Sequence, residues 1–293
     1  MTNIQWTDVT DNPIAAADGG WWCRKISAGC ANCYAEKLNN NSFFTGNQRS
    51  YTGQPPELTL KREVIQKWAR MRTSKKHFVG SMTDIFGEWV PMEWHLELLD
   101  AMAAAPKQTF QLLTKRPLQM AIAIDQWLRI NKRSAIPSNI WCGASVENQK
   151  WADIRIPELL KIPCPIKFLS VEPILEGITL EVIPDPDWVD NQAWHPEQPM
   201  GTQNCLGKNK INWVIVGGES GGNARPCRCE WLISIVEQCR RADVPVFVKQ
   251  LGRKPYGGCE EYAAGINSIK LRDKKGGDIE EFPDQLQIRE FPR

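Results

Sequence analysis

Short apolar, β-prone runs recur along the chain with longer helical patterns between them, and this alternation points to a parallel α/β fold. The runs cover residues 77–82, 109–113, 140–144, 166–171, 213–217 and 245–249. Between the second and third, Ala121, Ile124 and Leu128 share one helical face. Between the last two, Leu232, Ile235, Val236 and Cys239 recur at helical spacing. Pro91 and Pro117 stand where helices would begin. A short first strand is expected at residues 4–6.

Polar residues follow each run: Thr83-Asp84, Thr114-Lys115-Arg116, Ser145 with Glu147 and Asn148, Glu172-Pro173, Gly218-Glu219-Ser220, and Lys249-Gln250. In a (β/α) barrel such strand-end loops converge on one mouth, where chemistry is normally found. An open doubly wound sheet also gathers strand ends at a crevice, so this pattern alone leaves barrel and open sheet undecided. Two segments interrupt the rhythm. Residues 39–57 read as an excursion that covers the mouth, and residues 172–212, rich in Pro, Asp and Trp, read as an insertion before the strand at Trp213. Within that insertion, regular structure is expected only at 178–183. Length allows one large domain or two ordinary ones. We read a single domain over 1–271, carrying the insertion, and a charged surface extension over 272–293.

The net charge of +2 argues against a protein that coats DNA through phosphates alone. It leaves room for an enzyme that takes one nucleotide into a pocket. The first eleven residues include Asp8 and Asp11 and no apolar run, so no signal peptide is expected. No stretch approaches the roughly 20 apolar residues that span a bilayer. A cytoplasmic protein with no membrane partner is expected, and its ten cysteines read as thiols or metal ligands.

Three of those cysteines stand close together: Cys23, Cys30 and Cys33, in the order C-x6-C-x2-C, followed by Tyr34-Ala35-Glu36. Thiolates are soft ligands suited to iron–sulfur clusters or zinc. Three thiolates on a cubane leave one iron open, whereas clusters that only carry electrons normally have four. A structural zinc site with one distant ligand, a redox pair and ordinary packed thiols remain alternative readings.

These residues also carry a resemblance. Trp6-Thr7-Asp8, Asn12-Pro13 and the three-cysteine motif resemble the phage-type three-cysteine family of the radical S-adenosylmethionine superfamily. The similarity continues in order through Ser81-Met82-Thr83-Asp84, Leu113-Thr114-Lys115-Arg116-Pro117, Ser145-Val146-Glu147-Asn148 and Leu169-Ser170-Val171-Glu172-Pro173. It ends with Val216-Gly217-Gly218-Glu219-Ser220-Gly221, Ala224-Arg225-Pro226 and Phe247-Val248-Lys249-Gln250. The commonest superfamily spacing is C-x3-C-x2-C, so the interval between Cys23 and Cys30 departs from it. Cys227, Cys229 and Cys259 lie outside the family pattern and read as packed thiols or an auxiliary cluster.

The resemblance implies a partial (β/α) barrel of the radical SAM type, with a 4Fe-4S cluster on Cys23, Cys30 and Cys33 and S-adenosylmethionine on its open iron. It implies that Ser81, Thr83 and Asp84 bind the methionine ammonium, and that Ser145, Glu147 and Asn148 reach the ribose. Gly217, Gly218 and Gly221 would let backbone approach the adenosyl group. Glu172, Glu219 and Lys249 are the catalytic candidates, the two glutamates because each follows a strand that should be buried. Lys115, Arg116, Arg225 and Gln250 are candidates for substrate contacts, against the alternative of solvated charges. His77, His95 and His195 fall in no ligand pattern. The expected partners are a flavodoxin- or ferredoxin-like electron donor and DNA as substrate. By analogy with phage members, the substrate is an amino-acid-bearing (glycyl) thymine undergoing radical isomerisation. Radical chemistry on a small metabolite or tRNA, or a zinc-stabilised nucleic-acid-binding protein without catalysis, are the alternatives.

Overall fold

In a computed structural model, residues 4–45, 48–184, 202–257 and 268–292 are described. His195 and Cys259 lie outside them. The chain divides into two compact units, one of residues 1–145 and 162–166, the other of 146–161 and 167–293. Each is mixed α/β with parallel strands.

The first unit runs β1 (Val9–Asp11), β2 (Ile14–Ala16), α1 (Tyr34–Asn39), α2 (Ser42–Thr45), β3 (Leu58–Leu60), α3 (Arg62–Trp68), β4 (Lys76–Val79), α4 (Met92–Ala103), β5 (Thr109–Thr114), α5 (Pro117–Asn131) and β6 (Ile140–Ser145). Strands β1, β4, β5 and β6 lie side by side in that order, all parallel. Strands β2 and β3 form a separate antiparallel pair. The first strand is Val9–Asp11, not residues 4–6, because Val9 pairs with His77 while Trp6 turns inward. Its indole is buried against Phe78 at a centroid distance of 4.8 Å, so the aromatic that suggested a strand serves packing.

Helix α5 shows how local sequence sets an element. Pro117 occupies its first turn, where a missing N–H costs nothing, and Lys132 ends it in the left-handed conformation at φ 52°. Met120, Ala123, Ile124, Trp127 and Leu128 bury one face. The Trp127 indole N–H donates to Asp100 of α4 at 2.7 Å. His77 is buried between Asp11 Oδ2 (2.6 Å) and Gln108 Oε1 (3.1 Å), a position inside the fold.

The second unit runs α6 (Gln149–Leu160), β7 (Lys167–Val171), β8 (Ile183–Pro184), β9 (Thr202–Gln203), β10 (Ile211–Gly217), β11 (Cys227–Arg228), α7 (Cys229–Arg241), β12 (Val246–Gln250) and β13 (Pro255–Tyr256). Strands β7, β10 and β12 are parallel neighbours in that order. Every residue of β7 is buried, as expected of a parallel strand covered on both faces. Leu232, Ile235 and Val236 on α7 are buried as their spacing predicts, each contributing about 1.5–3 kcal/mol of apolar burial.

In the segment read as an insertion, Ile178 and Leu180 are buried without forming a strand. Gln238 of α7 holds them, accepting from Leu180 N (2.6 Å) and donating to Ile178 O (2.9 Å). Residues 185–201 of that segment lie outside the described ones. The charged C-terminal stretch buries Phe282 and Leu286, and Arg289 donates to the carbonyls of Val248 (3.3 Å) and Lys249 (3.2 Å). It thereby fastens the edge of β12. No helix among the described residues is long and apolar enough to cross a membrane.

Candidate functional site

Cys23, Cys30 and Cys33 lie on one loop that ends where α1 begins, with Cys33 as the residue preceding its first turn. Residues Ala28–Cys30 form a tight 3-10 turn within it. The segment after β4 is tied by three hydroxyls, its own Thr83 reaching the loop, Tyr34 reaching back from the first residue of α1 and Tyr51 from beyond α2. Thr83 Oγ1 donates to Trp22 O (2.6 Å), Tyr34 to Ser81 O (2.8 Å) and Tyr51 to Met82 O (2.5 Å). Asn12, just past β1, braces the same segment by donating to Ser81 Oγ (3.0 Å) and accepting from Met82 N (2.8 Å).

All three thiols are half-buried, and Cys23 and Cys33 pack against Ala35, Tyr51 and Met82. Burial, reinforced by the Asp84 carboxylate, pushes the Cys23 thiol up to about 12. Burial also raises Cys33, opposed by the backbone N–H groups of Glu36 and Ala35 and by the Lys115 ammonium. Cys33 disfavours ionisation of Cys23, and Cys30 that of Cys33, so the three sit within electrostatic reach along the loop. Desolvated soft donors of this kind keep their protons until a thiophilic cation replaces them. Donors of this kind suit iron–sulfur clusters and zinc alike. Among the described residues no group of three His, Cys, Asp or Glu side chains is set to hold a single metal ion. A cubane takes each thiolate on a different iron.

Two strand-end residues of this unit turn out to shape the loop. Asp84 accepts from Phe86 N (3.1 Å), Thr114 Oγ1 (2.7 Å), Lys115 N (3.0 Å) and Arg116 Nη1 (3.1 Å). The carboxylate joins the ends of β4 and β5. Arg116 is buried, with Nε on both Glu88 oxygens (3.1 Å), Nη2 on Arg24 O (3.1 Å), and its guanidinium 4.6 Å from the Trp89 centroid. Every nitrogen of that guanidinium already has a protein partner, so the expected substrate contact from Arg116 gives way to a hold on the residue beside Cys23. Its neighbour Lys115 is half-buried and makes no ion pair among the described residues. Ser145 is buried at the end of β6.

In the second unit, Glu147 and Asn148 serve the start of α6. Asn148 Oδ1 accepts from Trp151 N (3.1 Å) as the helix cap. Glu147 pairs with Arg155 at 2.9 Å, the two side chains being 0% and 1% exposed. Glu147 is therefore sealed away from a ribose, while Asn148 stays half-buried with its Oδ1 in the cap. At the ends of β7 and β12, Glu172 Oε1 accepts from Lys249 Nζ (2.6 Å) and Gln250 Nε2 (3.0 Å). Gln250 Nε2 also donates to Gly218 O (2.7 Å). After β10, Glu219 Oε2 accepts from Arg225 N (2.8 Å) and Nε (3.1 Å), and its Oε1 meets Arg225 Nη2.

The glycines have a packing reason. A Cβ on Gly218 would stand 2.4 Å from Leu251 O, and one on Gly217 would stand 3.0 Å from Gln250 O. Glu172, Gly218, Lys249 and Gln250 thus come together at the strand ends of this unit, with Glu172 and Lys249 still 14% and 18% exposed. Cys227 and Cys229 are buried, and burial together with Cys229 raises the Cys227 thiol.

Tyr51 and Asn12 are the residues whose roles sequence reasoning missed. Asn12 stood in a quoted motif without a role, and Tyr51 lies in the segment read only as a cover, where no spacing marks it. Residues 1–280 match the model of a family described as "Protein of unknown function (DUF5131)", and the chain belongs to that family. No curated protein and no solved structure matches it.

Proposed function

We propose that this member of the DUF5131 family is a radical S-adenosylmethionine enzyme with the partial (β/α) barrel of that type. The observation that carries the reading is the loop of Cys23, Cys30 and Cys33, three half-buried thiols within electrostatic reach along it. These thiolates would hold a 4Fe-4S cluster. With S-adenosylmethionine bound, it would supply a 5′-deoxyadenosyl radical able to take hydrogen from a substrate carbon.

The chain's own residues do the rest. Tyr51 and Met82 exclude water from the face of Cys23 and Cys33. Asp84 and Arg116 fix the loop, and the Lys115 ammonium offsets negative charge beside Cys33. Glu172 and Lys249 share a proton-bearing contact between Oε1 and Nζ and are our catalytic pair, with Gln250 orienting the carboxylate. Glu219 positions Arg225 for a substrate anion. The specific reaction we propose is radical isomerisation of a glycyl-bearing thymine in DNA, with an external one-electron donor.

Anaerobic reconstitution followed by iron and sulfide analysis tests the reading, with about four of each expected per chain. Reduced protein should then cleave S-adenosylmethionine to 5′-deoxyadenosine. Stoichiometric zinc without iron, or a replete cluster that never cleaves S-adenosylmethionine, would overturn it. Cys23→Ala, Cys30→Ala and Cys33→Ala should each abolish the cluster.

A further inference from the structure

Beside the short strand β13, the second unit opens into a groove of about 860 Å³. Arg253, Lys254, Lys270 and Lys274 line it, and all four are exposed. None of the four side chains makes an ion pair among the described residues. Among the described residues, one carboxylate, Asp273, also lines the groove. The backbone N–H groups of Lys275 (3.0 Å) and Gly277 (2.7 Å) occupy it and hold its pKa down. Against a whole-chain charge of only +2, this is a strong local concentration of positive charge.

The backbone brings the cations together. Tyr256 pairs with Ser268 in an antiparallel bridge, and Ile269 N donates to Pro255 O at 3.0 Å. Lys254 and Lys270 flank that bridge, just outside it, and both line the groove with Tyr256. Like charges gathered at one groove repel, and a bound anion would reverse the sign of that contribution. Tyr256 adds a flat, half-buried ring, braced edge-on by Trp231 at a centroid distance of 6.5 Å, with the Arg228 guanidinium over one face at 5.9 Å and the other face left for a base.

We propose that this groove binds a single nucleic-acid strand, with Lys254, Lys270, Lys274 and Arg253 on successive phosphates and a base stacked on Tyr256. Cations alone would suit any polyanion; the aromatic ring set among them selects one with planar bases. This supplies the substrate class of the reading above and rests on it only for the chemistry. The strand-end cations Arg116 and Lys249 are engaged with Glu88 and Glu172.

The test is fluorescence anisotropy of the full chain with a labelled oligodeoxynucleotide of about 20 bases across a salt series. Three to four phosphate contacts predict a slope of log K against log salt of about −2 to −3. The double variant Lys254→Ala, Lys270→Ala should lose about 1.4 of that slope and weaken binding more than about tenfold at low salt. Tyr256→Leu should weaken it by roughly tenfold with the slope unchanged. Wild-type affinity and slope in the double variant would overturn the proposal. Polyglutamate binding as tightly as DNA would also overturn it, making the groove a site for acidic proteins. Cleavage of S-adenosylmethionine without DNA should be the same in the double variant and the wild type. DNA binding as described by a chain that takes up no iron would sink the cluster reading and leave the groove standing.

Discussion

Glu147 and Glu172 each lie in a loop just past a parallel strand, and each is paired with a cation, yet the two pairs do different things. Glu147 and Arg155 are sealed from water, 0% and 1% exposed, and Arg155 also lies 4.1 Å from the Trp151 centroid. Glu172 and Lys249 keep 14% and 18% of their side chains exposed, and Gln250 supplies a second donor to the same oxygen. A sealed ion pair is held together by the penalty of stranding either charge. A pair that still reaches water can part to admit a ligand at a lower cost than a sealed one, because the intermediate arrangement is partly screened. The same residue type at the same kind of strand end is therefore fold in one place and candidate chemistry in the other.

The sharpest way to break this comparison is Arg155→Leu. It leaves the Glu147 carboxylate buried without this cation, and should cost about 3–5 kcal/mol, lowering the melting temperature by about 10 °C. Replacing Glu147 by Leu as well should recover most of the loss, since an apolar pair of similar volume often substitutes for a buried ion pair. A melting temperature unchanged in Arg155→Leu would show that Glu147 reaches water after all. Glu172→Gln should do the reverse. It keeps the shape and removes one charge from a pair that still reaches water, so stability should change by about 1–2 kcal/mol, less than in Arg155→Leu. Turnover should fall by about 100-fold or more if the carboxylate handles a proton. Equal losses of stability and turnover would move Glu172 into the same class as Glu147.

What could be read from the sequence follows the same division between local and tertiary causes. The inner parallel strands were legible because burial on both faces leaves continuous apolar runs, as in Trp213-Val214-Ile215-Val216. β1 was not, since an edge strand reading Val-Thr-Asp carries no such run while Trp6 nearby does the packing. β2 and β3 have three residues each, too few for alternation to show. The three thiols were visible as a donor set because their spacing is local. Lys115 and Arg116 show where sequence stops: adjacent cations at one strand end, one buried on Asp84 and Glu88, the other half-buried beside Cys33. Their different fates depend on Asp84, Glu88 and Trp89, which fold from another part of the chain, and no spacing encodes that.

His95 adds the smallest and last test, because it is an ionisable group buried without a charged group bonded to it. It is 5% exposed, its Nε2 donates to Ile85 O (2.8 Å), and its ring lies 5.3 Å from Phe86. Its Nδ1 has no hydrogen-bond partner among the described residues. Burial lowers its pKa from the ordinary value of 6.5, and the Ile85 carbonyl and the more distant Asp84 and Glu93 charges do not offset that. The sign follows from which state takes the proton. Above pH 6.5 both folded and unfolded chains carry neutral imidazole, and the full contribution of His95 is present. As pH falls below that value the unfolded chain binds a proton that the folded chain refuses, so stability drops until the folded pKa is reached. The slope from this one group cannot exceed about 1.4 kcal/mol per pH unit. Melting curves between about pH 7.5 and 5.5 should therefore decline more steeply for the wild type than for His95→Phe. The variant loses the bond to Ile85, so its absolute melting temperature is no criterion, and the difference in slope is. Parallel slopes would mean that the imidazole can be protonated in place.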